Sequence, residues 1–351
     1  MTHNISKKPK KHDDSILIIC HLTGSKCDGQ ETKTKDTIKF LEKHGFTVDV
    51  FNYGKLNTFS KIIRSMQVIH KYKRIVIMPG GMNALMFFSL FFRKKQDIHY
   101  MTIGGWIIKY FGNSKYSYVY KKMKNFKGIY LQNRSAVQLF ENKGFTNVFY
   151  VSNFSSKPQL NRTDFEKSVH KLAISKEIRF CYFARICREK GIFLACDAIA
   201  KINETTKYNV KLDVFGKEDS PSTLIEMEKY NKYVRYMGTI SGEDVTQTLS
   251  SYYSLLFPTF YPGEGTPHSI IEAFMSGLPV IASDWMYNPE IVDNYKTGLI
   301  FSLNTNNDLV TKMLWMIENK EKMLEMRTNC FRTSKFYSSD VLLKGFLERI
   351  R

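Results

Sequence analysis

Acidic residues are in short supply. The chain carries 52 Lys and Arg against 33 Asp and Glu, a net charge of +19. Such a balance draws polyanions or anionic membrane surfaces. Nucleic acid is not the polyanion indicated, because zinc-finger spacing, an RNA-binding signature and a basic helix running into heptads are all missing. The six cysteines, Cys20, Cys27, Cys181, Cys187, Cys196 and Cys330, form no C-x-x-C pair and join no Cys/His metal-ligand cluster. They read as buried free thiols of a reducing cytosol. No Asp-x-Asp triplet offers paired carboxylates to a divalent ion, and no metal site is expected. The apolar stretch around Met82–Phe92 is too short to span a bilayer. Met1 to Asp14 is basic and polar, unlike a secretory leader. A cytoplasmic chain, peripheral at most on the inner face of the cell membrane, is the expectation.

What the chain does have is length and alternation. Its 351 residues suggest two domains, and 43% hydrophobic residues suffice for sizeable cores. Continuous apolar runs, the signature of buried parallel strands, recur between helical segments. In the first half they fall at 15–20, 46–51, 74–78, 100–103, 128–132 and 147–151. A helix is expected from about Glu31 to Lys43. The pattern restarts at 178–184, 210–215, 234–237, 255–258, 279–283 and 299–301. The polar stretch 155–176 reads as a linker, and 335–351 as a terminal helix. This is an α/β chain with two doubly wound, Rossmann-like sheets.

The most informative segment runs from Glu264 to Asp284. Glu264 and Glu272 are separated by seven residues. Between them Thr266 suits an N-cap and Pro267 the first helical position, where its missing amide costs nothing. Ile270, Ile271, Ala273 and Phe274 suit a short buried helix. Gly277 is placed to end it in a left-handed turn, ahead of a buried strand. The amides around Thr266, His268 and Ser269 lie at the positive end of that helix, which suits a diphosphate. Glu264 precedes it in a loop. Glu272, further along, can accept hydrogen bonds from a ribose diol. Paired diols and a diphosphate are what a nucleotide-sugar presents. The bland reading is an ordinary helix between strands with two surface glutamates.

These residues carry a family resemblance. The pattern Glu264-x7-Glu272, then Gly277-Leu-Pro-Val-Ile-Ala-Ser-Asp284, Asn288-Pro289-Glu290 and Thr297-Gly298, resembles the retaining GT-B glycosyltransferases of the family-4 type. The match is clearest over 178–301 and stays in register through the first half. The resemblance implies a GT-B fold: two Rossmann-like domains with a cleft between them and a C-terminal helix crossing back. It places an acceptor-binding domain at 1–155 with 336–351, and a nucleotide-sugar-binding domain at 156–335. It also implies transfer of a sugar from a nucleoside diphosphate-sugar to a hydroxyl acceptor with retention, with no separate cofactor.

Arg185 and Lys190 follow the strand at 178–184, where open α/β sheets bind ligands. Both can reach a diphosphate, the arginine with a bidentate fork. Alone they could be surface charge in a basic chain; the family has its phosphate-binding pair at this spacing. Gly216 and Gly238 each end a strand at the same edge, where a nucleotide would pass, and Thr239 could flank the base; plain turns are the other reading. In the first half, Gly24 and Gly29 bracket the loop after the first strand. Gly104, Gly105 and Trp106 form a further candidate cleft loop. Many family members carry a histidine in that region; here Gly104-Gly105-Trp106 stands in its place, and His99 lies before the strand. His268 is expected to contribute its backbone amide.

Met82 to Lys95 joins bulky apolar residues to a basic end, and Lys121 to Lys127 interleaves lysines with aromatics. A face lying on an anionic membrane fits this, as does a core helix with a solvated end. The expected acceptor is a saccharide, or a lipid-linked saccharide of surface polysaccharide synthesis. A GT-B sugar-nucleotide epimerase and a non-catalytic nucleotide-sugar-binding protein are the alternatives.

Overall fold

Ile16 to Ile19 and Ile75 to Met78 are apolar and essentially without solvent exposure. A strand with both faces covered needs a layer of helices on each side, which parallel pairing supplies. The computed structural model of the protein describes residues 12–22 and 29–351; Gly24 and Cys27 lie outside them. The chain divides into two units, Met1–Val151 with Leu343–Arg351, and Ser152–Leu342. Each is built on a six-stranded sheet, and every strand pair is parallel.

In the first unit the strands are β1 (His12–Cys20), β2 (Thr47–Asn52), β3 (Tyr72–Met78), β4 (Asp97–Met101), β5 (Gly128–Leu131) and β6 (Val148–Tyr150). Their spatial order is β2-β1-β3-β4-β5-β6. In the second unit they are β7 (Ile178–Phe183), β8 (Val210–Phe215), β9 (Val234–Gly238), β10 (Leu255–Phe257), β11 (Val280–Ser283) and β12 (Gly298–Phe301), in the order β12-β11-β10-β7-β8-β9. The period of two divides this core between the sheet's faces. Phe180, Tyr182, Leu212, Val214, Leu256 and Ile281 pack on one side. Cys181, Phe215, Leu255, Phe257, Val280 and Ala282 pack on the other. The strand that enters first, β7, lies in the interior of the sheet. The winding therefore reverses between β7 and β10, which opens a crevice at their carboxyl ends.

Four local expectations need correction. The stretch 155–176 is no plain linker: Arg162–Ile174 is a helix, capped by the Asn161 side chain on the Asp164 amide at 2.9 Å. Its Phe165 and Leu172 are buried, so the apolar period outweighs the polar composition. The terminal segment is not one helix. A 3-10 turn at Ser334–Tyr337 precedes helices Ser339–Leu342 and Lys344–Ile350, and Ser338 between them is extended at ψ 147°. His99 lies inside β4, fully buried, because strand pairing with β3 starts at Asp97. Gly29 opens the helix Gly29–Lys43 instead of standing in a loop.

Met82–Ser89 is a helix whose Met82, Leu85 and Phe88 are buried in the core of the first unit. Among the described residues no helix is long and apolar enough to cross a membrane.

Candidate active site at the carboxyl edge of the second sheet

The site is assembled by three loops that leave neighbouring strands. After β7 the chain turns through Ala184, Arg185 and Ile186 into a 3-10 turn, Arg188–Lys190. Tyr182 holds this turn, its hydroxyl donating to the Arg185 carbonyl at 2.9 Å and standing 3.3 Å from that of Lys190. Burial keeps the Tyr182 phenol well above its usual pKa, so the proton stays available for donation. Gly191 follows at φ +76°, and a Cβ there would lie 2.0 Å from the Pro258 carbonyl oxygen. Only glycine lets the β7 loop pass this close to the end of β10.

That close passage sets the central contact. Lys190 Nζ lies 2.6 Å from Glu264 Oε2, and the Thr259 hydroxyl donates to the same oxygen at 2.9 Å. The side chains are only 12% and 8% exposed, so this is a buried ion pair. Tyr261 lies beside it, its ring centroid 5.0 Å from Lys190 Nζ and 5.4 Å from the Arg185 guanidinium carbon. The Tyr261 loop is itself tied down by the Trp285 indole N–H, which donates to the Tyr261 carbonyl at 2.8 Å. Arg185 pairs with Asp219 at 3.1 Å in the open, both side chains being about two-fifths exposed. An exposed pair of this kind contributes only about 0–1 kcal/mol, so the guanidinium can turn to an anion at little cost.

The helix after Glu264 begins one residue later than expected. It spans His268–Met275, with Pro267 at the cap, extended at ψ 125°. Thr266 stands before the cap and is not the cap itself. Its carbonyl accepts a hydrogen bond from the Asn153 side chain, which fixes the approach to the helix. A proline offers no side-chain acceptor, so the amides of His268 and Ser269 begin a helix without a side-chain cap. Gly277 ends the helix at φ +62°, as the spacing predicts. Glu272 is buried at 7% exposure and forms an ion pair with Lys157.

Gly216 and Gly238 lie side by side at the ends of β8 and β9, the Gly216 amide donating to the Gly238 carbonyl at 2.9 Å. Gly216 has φ +149°, and a Cβ there would fall 1.8 Å from the Ala184 oxygen, so it lets the Arg185 backbone lie against β8. Gly238 takes φ +77° with open space around it, and Thr239 is exposed. In the first unit, Gly104 takes φ +81° at the end of β4 and its amide donates to Gln132 at 3.2 Å. Gly105 and Trp106 then open a one-turn helix, Trp106–Lys109, with the indole N–H on the Ile103 carbonyl at 2.6 Å.

The structure thus brings Arg185, Lys190, Glu264 and the segment Thr266–Ser269, where the helix His268–Met275 starts, to one edge of one sheet. It adds Lys157, Thr259, Tyr261, Asn153 and Asp219, which no local pattern marks. Lys157 stood in the stretch read as a linker, and its bond to Glu272 joins residues 115 positions apart.

Known proteins share parts of this chain's sequence and its fold. Residues 164–332, within the second unit, match the family model of glycosyl transferases group 1. The chain is similar to O-antigen chain mannosyltransferase B of Escherichia coli, 28% identical over 96 residues, 27% of this chain and 24% of that protein. It is also similar to the N,N'-diacetylbacillosaminyl-diphospho-undecaprenol alpha-1,3-N-acetylgalactosaminyltransferase of Campylobacter jejuni, 23% identical over 178 residues, 50% of this chain and 45% of that protein. The chain spans less than half the length of each of these curated relatives. Among solved structures, Anabaena HepE in complex with UDP superposes with a TM-score of 0.72 at 16% identity, over 95% of this chain and 98% of that one. With its two parallel six-stranded sheets, the fold is GT-B.

Proposed function

We propose that the protein is a glycosyltransferase that moves a sugar from a nucleoside diphosphate-sugar to a hydroxyl acceptor, with retention at the anomeric carbon and the family-4 arrangement of its two glutamates. The observation that carries this reading is the convergence of Lys190, Arg185, Glu264 and the start of the helix His268–Met275 at the β7–β10 crevice. The second unit, by this reading, holds the donor, and the first unit the acceptor. Relatives named for O-antigen and undecaprenol-linked chemistry support a lipid-linked saccharide as acceptor. A structural neighbour solved with UDP supports a nucleoside diphosphate as the donor's leaving part.

Each side chain then has a task. Arg185, released from its exposed pair with Asp219, and Lys190, with three donors of which one faces Glu264, draw the diphosphate oxygens. The amides of His268 and Ser269 add the positive end of the helix. Together they stabilise the charge that grows on the departing diphosphate, the largest electrostatic demand of the transfer. This cradle supplies the positive charge from the chain itself. Glu264, held through one oxygen by Lys190 and Thr259, orients the hydroxyls of the donor sugar. Glu272 accepts from the ribose diol, with Lys157 fixing its carboxylate. Most of the acceleration would come from positioning and leaving-group stabilisation.

The test is thermal shift against a panel of nucleoside diphosphates and nucleotide-sugars, with Glu272→Ala as the control. A true donor at about 100 times its Kd raises stability by about 2.7 kcal/mol. That gain should shrink in Glu272→Ala, and slow release of nucleoside diphosphate without acceptor should mark a transferase. Stabilisation without any release would indicate a binding protein. No stabilisation by any member would sink the donor-site assignment.

A further inference from the structure

The helix Thr58–Val68 is inside out. Phe59 is 73% exposed, Met66 62%, Ile62 38% and Ile63 37%. These positions follow the i, i+3, i+4, i+7 spacing and form one apolar stripe about 100° wide. The side turned to the protein carries Lys61, Ser65 and only Val68 of the helix's apolar residues. Ser65 is buried and its hydroxyl finds no hydrogen-bond partner, while Lys61 lies over the Tyr53 ring at 5.7 Å. A helix serving only its own core would place the stripe inward.

The surroundings say what the stripe meets. From Val50 to Phe140 the sole acidic residue is Asp97, against sixteen Lys and Arg. Lys55, Arg64, Lys71 and Lys73, in or beside the helix, are exposed. A second copy of this chain would bring the same positive charge and be repelled, whereas an anionic bilayer offers both an apolar layer and opposite charge.

We propose that the helix Thr58–Val68 is a membrane-docking face. Its stripe Phe59, Ile62, Ile63 and Met66 enters the headgroup–acyl boundary, and the neighbouring lysines and arginine meet anionic headgroups. The other stretch weighed from sequence, Met82–Lys95, takes the core-helix reading over its helix, which buries Met82, Leu85 and Phe88. This inference is independent of the transfer reading and survives its failure.

Co-sedimentation of the full chain with vesicles tests it, using phosphatidylcholine alone and phosphatidylcholine mixed with phosphatidylglycerol. The wild type should pellet with the anionic vesicles at low salt and progressively less as salt rises. The double variant Phe59→Gln, Met66→Gln should partition about tenfold less, with its unfolding midpoint unchanged because both side chains are exposed. Lys71→Glu with Lys73→Glu should weaken binding and flatten the salt dependence. Absence of pelleting at low salt overturns the proposal, as does equal binding to the neutral vesicles or undiminished binding by the Phe59/Met66 variant. A dimer in light scattering that depends on the stripe, without vesicle binding, assigns the face to a second copy and overturns it too.

Discussion

Lys190 and Glu264 are 74 positions apart in the chain and 2.6 Å apart in space. Removing one member of a buried pair strands the other charge, at a cost of about 3–5 kcal/mol, whereas removing both can be nearly neutral. Lys190→Met and Glu264→Gln should therefore each lower the unfolding midpoint, and the double variant should recover much of the loss. Turnover should recover in none of them, falling roughly 10²–10³-fold as for a lost transition-state donor. A double variant that regained activity would mean the pair is structural only. His99 makes a separate prediction. Burial lowers its pKa from 6.5 to about 4, with Asp97 opposing and Lys127, Arg349 and Arg74 adding to the shift. Its ring sits in β4 with Nδ1 3.0 Å from the Tyr130 hydroxyl. The folded state thus takes up this proton only below the pH at which the unfolded chain does. Stability from this group is complete above about pH 6.5 and is lost as pH falls from 6.5 to 4, by at most about 3 kcal/mol. In His99→Gln that part of the acid slope should disappear from urea titrations taken at successive pH values; an unchanged slope would place the titrating group elsewhere.

At the level of the element, loops at the carboxyl edge depend on backbone access as much as on side chains. Gly191 separates the Lys190 turn from the helix Ile192–Thr205, and its Cβ position is blocked by Pro258. Gly191→Ala must push the β7 loop away from β10 and carry Lys190 with it. A loss of about 2 kcal/mol or more is expected from the left-handed strain and the clash together, or several degrees in the unfolding midpoint. Nucleotide binding should weaken in parallel. Normal binding with lowered stability would show that Lys190 does not depend on this passage. The helix His268–Met275 illustrates how far local pattern reaches. Its apolar face and its glycine stop follow from spacing. Its first residue does not, because Asn153 ties down the Thr266 carbonyl from a distant part of the chain.

At the level of the whole molecule, the last residues complete the first unit. Phe346 is 1% exposed and packs edge-on against His99 and Tyr130, with centroids 5.7 and 5.1 Å away. The Arg349 guanidinium lies over the Phe149 ring at 3.7 Å, and Arg74 donates to the Arg351 carbonyl at 2.8 Å. Phe346→Ala should cost about 3–5 kcal/mol. Hydrogen exchange locates the damage: amides of β4 and β5 should lose protection while those of β7 to β12 keep theirs. Uniform loss across both sheets would contradict the division into two units.

The sequence by itself determined the strands and the class of fold. A parallel strand buried on both faces must be apolar throughout and bounded by turn residues, a local signal that needs no knowledge of neighbours. It likewise offered Glu264, Glu272, Arg185 and Lys190 as candidates, from strand ends, a helix start and a family resemblance. Only the tertiary structure decided which charges meet. Lys190 with Glu264, Lys157 with Glu272 and Arg185 with Asp219 are through-space pairs, set by sheet order and loop approach. It alone also showed that the helix Thr58–Val68 turns its apolar stripe outward, since periodicity defines a stripe but not the side on which the core lies.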